Sequence, residues 1–274
     1  MKFLIPTDFS ENAFHAAVYA LTLAKEKPGS SIHLVHVITP VVTDPLLVQD
    51  IEKEATISIE KIIKELNNRC SSCHLSHAIR RGETSTEINN AAEEWSTGII
   101  VMGIRGLGKK SRFMFGSNTI SLINRSSRPV IVVPEASAFR SPQRIVFGID
   151  YYDSDLDALH QLLPIAMAFD SEIIITHIFE DSDEEQSEQA MMNFISGEIF
   201  KKVQYPRIDY QIYKSRNVAL GIKHFCEFME ADLLVLSARK RNVFEKLLQS
   251  SVTKDASYNS DIPLLIFHVR RTDG

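Results

Sequence analysis

The sequence predicts an α/β protein built as two tandem, open-twisted parallel-sheet sandwiches. Three observations carry this: the chain repeats itself, its strands are apolar along their whole length, and those strands alternate with segments of helical periodicity. Continuous apolar strands joined by helices are the pattern of parallel sheets covered on both faces by right-handed βαβ crossovers. A chain of 274 residues is long enough for two such small domains.

The first repeat opens with an apolar strand ending in an aspartate, Phe3-Leu4-Ile5-Pro6-Thr7-Asp8. Ala13, Ala16, Ala17, Ala20, Leu21 and Ala24 then recur at helical spacing. A second strand, Ile32 to Val37, carries His36 near its end, and Gly98 to Gly103 and Val130 to Val133 form two more. Residues 134–142 are bounded by prolines and lack periodicity, so they read as a linker between domains 1–138 and 143–274. The second repeat has the same order. Ile145 to Asp150 is followed by Leu156, Leu159, Leu162, Leu163 and Ala166 at helical spacing, then by strands at Ile173 to Ile178, Asp232 to Ser237 and Ile262 to Phe267. Trp95 is expected to pack a helix against the sheet. His36 and His177, at the ends of buried strands, read as hydrogen-bonded core histidines rather than catalytic bases.

Composition excludes several classes. Hydrophobic residues at 44% and charged ones at 24% rule out collagen-like, low-complexity and largely disordered chains. With 30 Lys plus Arg against 35 Asp plus Glu, the net charge of −5 argues against a generic nucleic-acid binder. No apolar run reaches the roughly 18 residues of a membrane span, and Met1 to Pro6 is too soon broken for a signal peptide. Three cysteines do not suggest a disulfide-built scaffold, and a cytoplasmic location is expected. Cys70-Ser71-Ser72-Cys73-His74-Leu75-Ser76-His77 has metal-like spacing. A structural zinc site normally draws its second ligand pair from a distant segment, so these read as ordinary connection residues, with zinc as the alternative.

The most informative segment follows a buried strand and leads into a helix: Gly103 and Gly106, then Gly116-Ser117-Asn118-Thr119, in the spacing Gly-x2-Gly-x9-Gly-Ser. Glycines at the carboxyl end of a parallel strand let the backbone turn and approach a ligand without a Cβ in the way. A helix start at Gly116 to Asn118 offers unpaired amides and a favourable dipole to an anion, with Arg105, Lys109, Lys110 and Arg112 nearby. The alternative is a tight turn and nothing more. The spacing is neither a Walker loop nor the dinucleotide fingerprint. For Asp8, the alternative reading is a helix N-cap.

Pro6-Thr7-Asp8-Phe9-Ser10 with Ala13, His36-Val37, and the Gly103, Gly106, Gly116, Ser117 pattern together resemble the universal stress protein family in its tandem form, over essentially the whole chain. The resemblance implies an adenine nucleotide alpha hydrolase-like fold. It also implies ATP, or another adenine nucleotide, in the first domain, with Mg2+ as a candidate companion. Pro6, Thr7 and Asp8 would lie beside ribose and adenine, and the Val37 backbone would read the adenine edge. Met102, Gly103, Arg105 and Gly106 would border ribose and phosphates, and Gly116, Ser117 and Asn118 would hold the phosphates. In the second half the matching positions are Ser237, Lys240, Ser250 and Ser251, and Glu180 to Glu185 adds negative charge. That half is therefore expected not to bind ATP, and for Asp150, which survives, helix capping alone is a reading left open. The family also implies that the last strand of each domain pairs, giving an intramolecular pseudo-dimer, and leaves a homodimer open. The function implied is a nucleotide-dependent stress-response sensor or scaffold. An interaction module without nucleotide, and a slow ATPase or phosphotransferase, are the alternatives. No catalytic residue is assigned, because no general base or arginine finger is evident for an attacking water.

Overall fold

Phe3, Leu4 and Ile5 have no exposed surface, because the strand they form is flanked by strands on both sides and covered by helices. That strand, β1 (Lys2–Pro6), is central in the first of two units into which the computed structural model divides, Met1–Arg140 and Ser141–Gly274. The structure describes residues 1–39, 45–104, 117–179, 184–199, 202–237 and 261–268.

In the first unit β1 is followed by α1 (Glu11–Lys25), β2 (Ser31–Ile38), α2 (Pro45–Arg69) and β3 (His74–Arg81). Then come α3 (Thr84–Glu94), β4 (Ile99–Gly103), α4 (Ser117–Arg125) and β5 (Val130–Val133). The strands are parallel and run β3-β2-β1-β4-β5 across the sheet. Every crossover thus carries a helix, as parallel pairing requires. The alanine periodicity of α1 has a packing purpose: Ala13, Ala16, Ala17, Ala20 and Ala24 are buried, and their small side chains bring the helix close to the sheet. Ser10 is the N-cap of α1, accepting from the Ala13 amide.

The second unit contains β6 (Arg144–Gly148), α5 (Asp153–Phe169), β7 (Glu172–Phe179) and α6 (Glu184–Phe194), which a π-helical turn at Ile195–Ile199 extends. They are followed by β8 (Ile208–Lys214), α7 (Val218–Phe228), β9 (Leu233–Ser237) and β10 (Leu264–Phe267). Its strands are also parallel, in the order β8-β7-β6-β9-β10, the same arrangement as in the first unit. The prolines before the last strands have matching roles, Pro129 and Pro263 each accepting through its carbonyl from the amide of Ile100 or Leu234.

Trp95 follows α3 and stacks on His33 of β2 with ring centroids 4.7 Å apart, so it joins a helix end to the sheet as expected. Among the described residues, no helix is long and apolar enough to cross a membrane.

Candidate functional site

In each unit the strand order reverses at the central strand: from β1 the chain steps outward to β2 and β3, then returns to β4 on the other side. Open α/β sheets bind ligands outside the carboxyl ends of the strands at such a reversal. In the first unit the crevice therefore lies where β1 ends at Pro6 and β4 ends at Gly103.

The turn leaving β1 is tightly built. The Thr7 amide donates to the Val35 carbonyl at 2.9 Å, extending the β1–β2 ladder by one bond. Thr7 Oγ1 accepts from the Phe9 amide, and Asp8 Oδ1 accepts from the Ser10 amide at 3.1 Å and the Ser10 hydroxyl at 2.6 Å. Phe9 adopts a φ of 66°, left-handed backbone that costs a non-glycine residue about 1–3 kcal/mol. Its ring lies on His36, with centroids 4.3 Å apart. His36 Nδ1 donates to the Thr7 carbonyl at 2.8 Å, which fixes the imidazole as part of the turn's framework.

The capping readings of the two aspartates do not hold. Asp8 is not the N-cap of α1, because the left-handed step at Phe9 moves the helix start two residues on and Ser10 takes that role. Asp150 does not cap α5 either: the N-cap is Tyr152, whose amide donates to Asp155. Asp150 Oδ1 instead lies 3.4 Å from His177 Nδ1.

Val37 faces the crevice through its backbone. In parallel strands the amide and carbonyl of a residue point to one side and those of the next residue to the other. The Val35 carbonyl bonds toward β1 and the Ile38 carbonyl bonds to Gly82 after β3, so Val37 points toward the β1 side, beyond the last β1 bond.

Met102 is buried in β4, and Gly103 ends that strand. A Cβ on Gly103 would lie 2.8 Å from the Asn12 carbonyl oxygen and 3.0 Å from Asn12 Cγ. The glycine is thus required by the first turn of α1, a packing reason that the motif alone did not reveal. Ser117 and Asn118 are exposed at the start of α4, and buried Thr119 ties that start to β4 by donating to the Gly103 carbonyl at 3.4 Å. Arg105, Gly106 and Gly116 lie outside the described residues, as do Lys109, Lys110 and Arg112. Of the candidate site residues, Pro6, Thr7, Asp8, Val37, Met102, Gly103, Ser117 and Asn118 are described, and they are set at the ends of β1, β2 and β4 and the start of α4.

The second unit repeats the turn with a different brace. Tyr151 has a φ of 64°, its ring lies 4.6 Å from His177, and His177 Nδ1 donates to the Ile149 carbonyl at 2.9 Å. Burial and the neighbouring Asp150 carboxylate push the Tyr151 phenol upward. Asp155, 1% exposed, accepts from the Asp150 amide at 2.9 Å, the Tyr152 amide at 3.1 Å and the Ser237 hydroxyl at 2.8 Å. Ser237 is the counterpart of Gly103. Lys240, Ser250 and Ser251 lie outside the described residues, as do residues 180–183, while Glu184 and Glu185 open α6. An aromatic follows each aspartate, Phe9 and Tyr151, and this matched pair is the signal in the sequence that marks the turn.

The fold and crevice define a protein with two copies of an open parallel α/β domain, each with a strand reversal at its central strand. The universal stress protein family model matches residues 1–134 and again 142–268, so the chain belongs to that family, with its domain present twice. A universal stress protein from Mycolicibacterium smegmatis is 23% identical over 261 residues, covering 87% of each chain. Another, from Methanocaldococcus jannaschii, is 28% identical over 140 residues, covering 48% of this chain and 81% of that one. The crystal structure of a universal stress protein from Archaeoglobus fulgidus has the same fold, with a TM-score of 0.72 at 17% identity over 97% of this chain and 96% of that one.

Proposed function

We propose that the first unit binds ATP or another adenine nucleotide in the crevice between β1 and β4, and that the chain works as a nucleotide-dependent sensor or scaffold in the stress response. The observation that carries this is the strand reversal, with the Asp8 turn at the end of β1 and the start of α4 held against the end of β4. In this reading the Val37 backbone meets the adenine edge and Pro6, Thr7 and Asp8 border the ribose. Met102, Gly103, Arg105 and Gly106 line the path to the phosphates, which Gly116, Ser117 and Asn118 hold with the helix dipole of α4. Mg2+ would neutralise phosphate charge there. The second unit, with Ser237 and buried Asp155 at its turn, takes no ATP. A cytoplasmic location fits this role.

Calorimetric titration of Mg-ATP into the full chain tests the proposal, alongside Ser117→Glu. A carboxylate in the first turn of α4 suits the helix itself but repels phosphate, so folding is retained while binding is weakened. One ATP per chain, weakened at least tenfold in the variant (about 1.4 kcal/mol), is expected. Two per chain would overturn the reading of the second unit. None would make the chain an interaction module.

A further inference from the structure

A pair of thiols lies outside the crevice. Cys70 directly follows α2 and Cys73 directly precedes β3, and their Sγ atoms are 2.7 Å apart, against about 2.05 Å for a formed disulfide. Both side chains are buried, at 7% and 9% exposure, beneath the exposed Ser71-Ser72 turn, and the Ser72 hydroxyl is 3.4 Å from Cys70 Sγ. The Cys70 amide donates to the Leu66 carbonyl, so the first thiol is held in place by the last helical turn. Among the described residues no group of three or more His, Cys, Asp or Glu side chains is placed to hold a metal ion. The facing sulfurs thus have each other as partners.

We infer that Cys70 and Cys73 are a reversible redox modification site, a dithiol that a hydroperoxide converts to a disulfide stapling the end of α2 to the start of β3. The Cys70 thiolate attacks one peroxide oxygen, the O–O bond breaks, and the leaving oxygen departs as water or an alcohol after taking a proton. Cys70 is left as a sulfenic acid. The Cys73 sulfur then attacks Cys70, the S–O bond breaks, the S–S bond forms, and the hydroxyl leaves as water with the Cys73 proton. Two electrons pass from the two sulfurs to the peroxide, and two thiols plus ROOH become a disulfide, ROH and water. The order of attack follows from the surroundings. Burial and the hydrogen bond to Cys70 push the Cys73 thiol up to about 11. Burial acts upward on Cys70 too, but hydrogen bonds from Cys73 and Ser72 outweigh it and hold that thiol below its ordinary range. The more readily ionised thiol is the nucleophile and its neighbour the resolving partner. A disulfide spanning so short a loop gains little from chain entropy, and such bonds are the easily reduced ones.

The test uses the full reduced chain, graded hydrogen peroxide, and a denaturing maleimide quench. Trypsin releases Cys70 to Arg80 as one peptide that holds both thiols and excludes Cys226. Cys226 is a fully buried control whose thiol burial pushes up. The expected result is loss of two hydrogens from that peptide at least tenfold faster than Cys226 is lost, with full recovery in dithiothreitol. Cys73→Ser should stop at a Cys70 sulfenic acid that dimedone captures, and Cys70→Ser should leave Cys73 unoxidised. A peptide that keeps both maleimides, oxidation no faster than at Cys226, or stoichiometric zinc protecting both thiols would each overturn the inference. The wild-type readout decides even where a variant does not fold.

Discussion

The turn after β1 and the turn after β6 have one skeleton and two different braces. In both, an aromatic residue sits in left-handed backbone on a histidine whose Nδ1 donates to the carbonyl two residues before it: Phe9 on His36 to Thr7, and Tyr151 on His177 to Ile149. In the first unit the brace is local, Asp8 on Ser10, and the end of β4 is a glycine pressed on Asn12. In the second, a carboxylate from inside α5 reaches back across the turn and Ser237 fills the glycine's place. A feature shared by both units belongs to the architecture, so the His and the left-handed aromatic are structural. The units differ in how the aspartate before that aromatic is held, Asp8 on Ser10 against Asp150 beside His177, and in Gly103 against Ser237. Those differences are where a function peculiar to the first unit is to be sought.

The largest effect should come from removing the second brace. Asp155→Ala strands two turn amides and the Ser237 hydroxyl, and should cost about 3 kcal/mol or more. Urea unfolding with hydrogen exchange in the first turn of α5 reads this. A loss under about 1 kcal/mol would mean that the backbone holds the turn without the carboxylate. Next in size is Gly103→Val. Its Cβ meets the Asn12 carbonyl, so a loss of about 1–3 kcal/mol is expected from overpacking in the first unit, with no nucleotide present. An unchanged Tm in ligand-free protein would restore Gly103 to a purely ligand-facing role.

Much of this was legible. The inner strands announce themselves because each is covered on both faces and reads apolar throughout, as Ile99 to Gly103 and Leu233 to Ser237 do. The outer strands β3 and β8 did not, since they are only half-buried and carry His74, Arg80 and Arg81, or Asp209, Gln211 and Lys214. The repeat also pointed to the carboxyl ends of β1, β2 and β4, beside the reversal of strand order. It left helix capping open as the alternative for Asp8 and as a reading of Asp150, because a single left-handed residue shifts the helix start and periodicity carries no trace of one φ angle. Asp155 escaped notice for a related reason: at a helix N-terminus an acidic residue is unremarkable until its burial and its reach to Ser237 are known.

A smaller contrast separates the caps of α3 and α7. Glu83 caps α3, where hydrogen bonds from the Thr86 hydroxyl and amide and from the Ser85 hydroxyl bring its carboxyl down to about 2 from an ordinary 4.5. The matching cap in the second unit is Asn217, which accepts from the Leu220 amide and does not titrate. A depressed folded pKa gives stability that is complete above about 4.5 and lost as the pH falls toward about 2. Amide protection in the first turn of α3, taken relative to the intrinsic exchange rate at each pH, should therefore fall over that window while that of α7 does not, and Glu83→Gln should abolish the difference. Equal acid response at both helices would remove Glu83 from the account.

The smallest expected change runs in the stabilising direction and treats the two units alike. Ser96 and Glu230, both exposed, occupy matching places just before β4 and β9, and each has a φ of 49°. Left-handed backbone penalises a Cβ by more than the entropy that glycine adds to the unfolded chain, so the second term offsets the first only in part. Ser96→Gly should gain about 0.5–1 kcal/mol. Glu230→Gly should gain less, since it gives up the 3.7 Å contact with Arg144, an exposed pair of small worth. Differential scanning calorimetry of the two variants measures both. A gain at Ser96 with a loss at Glu230 would show that this ion pair outweighs the backbone term, and would add one more place where two copies of one fold have been braced differently.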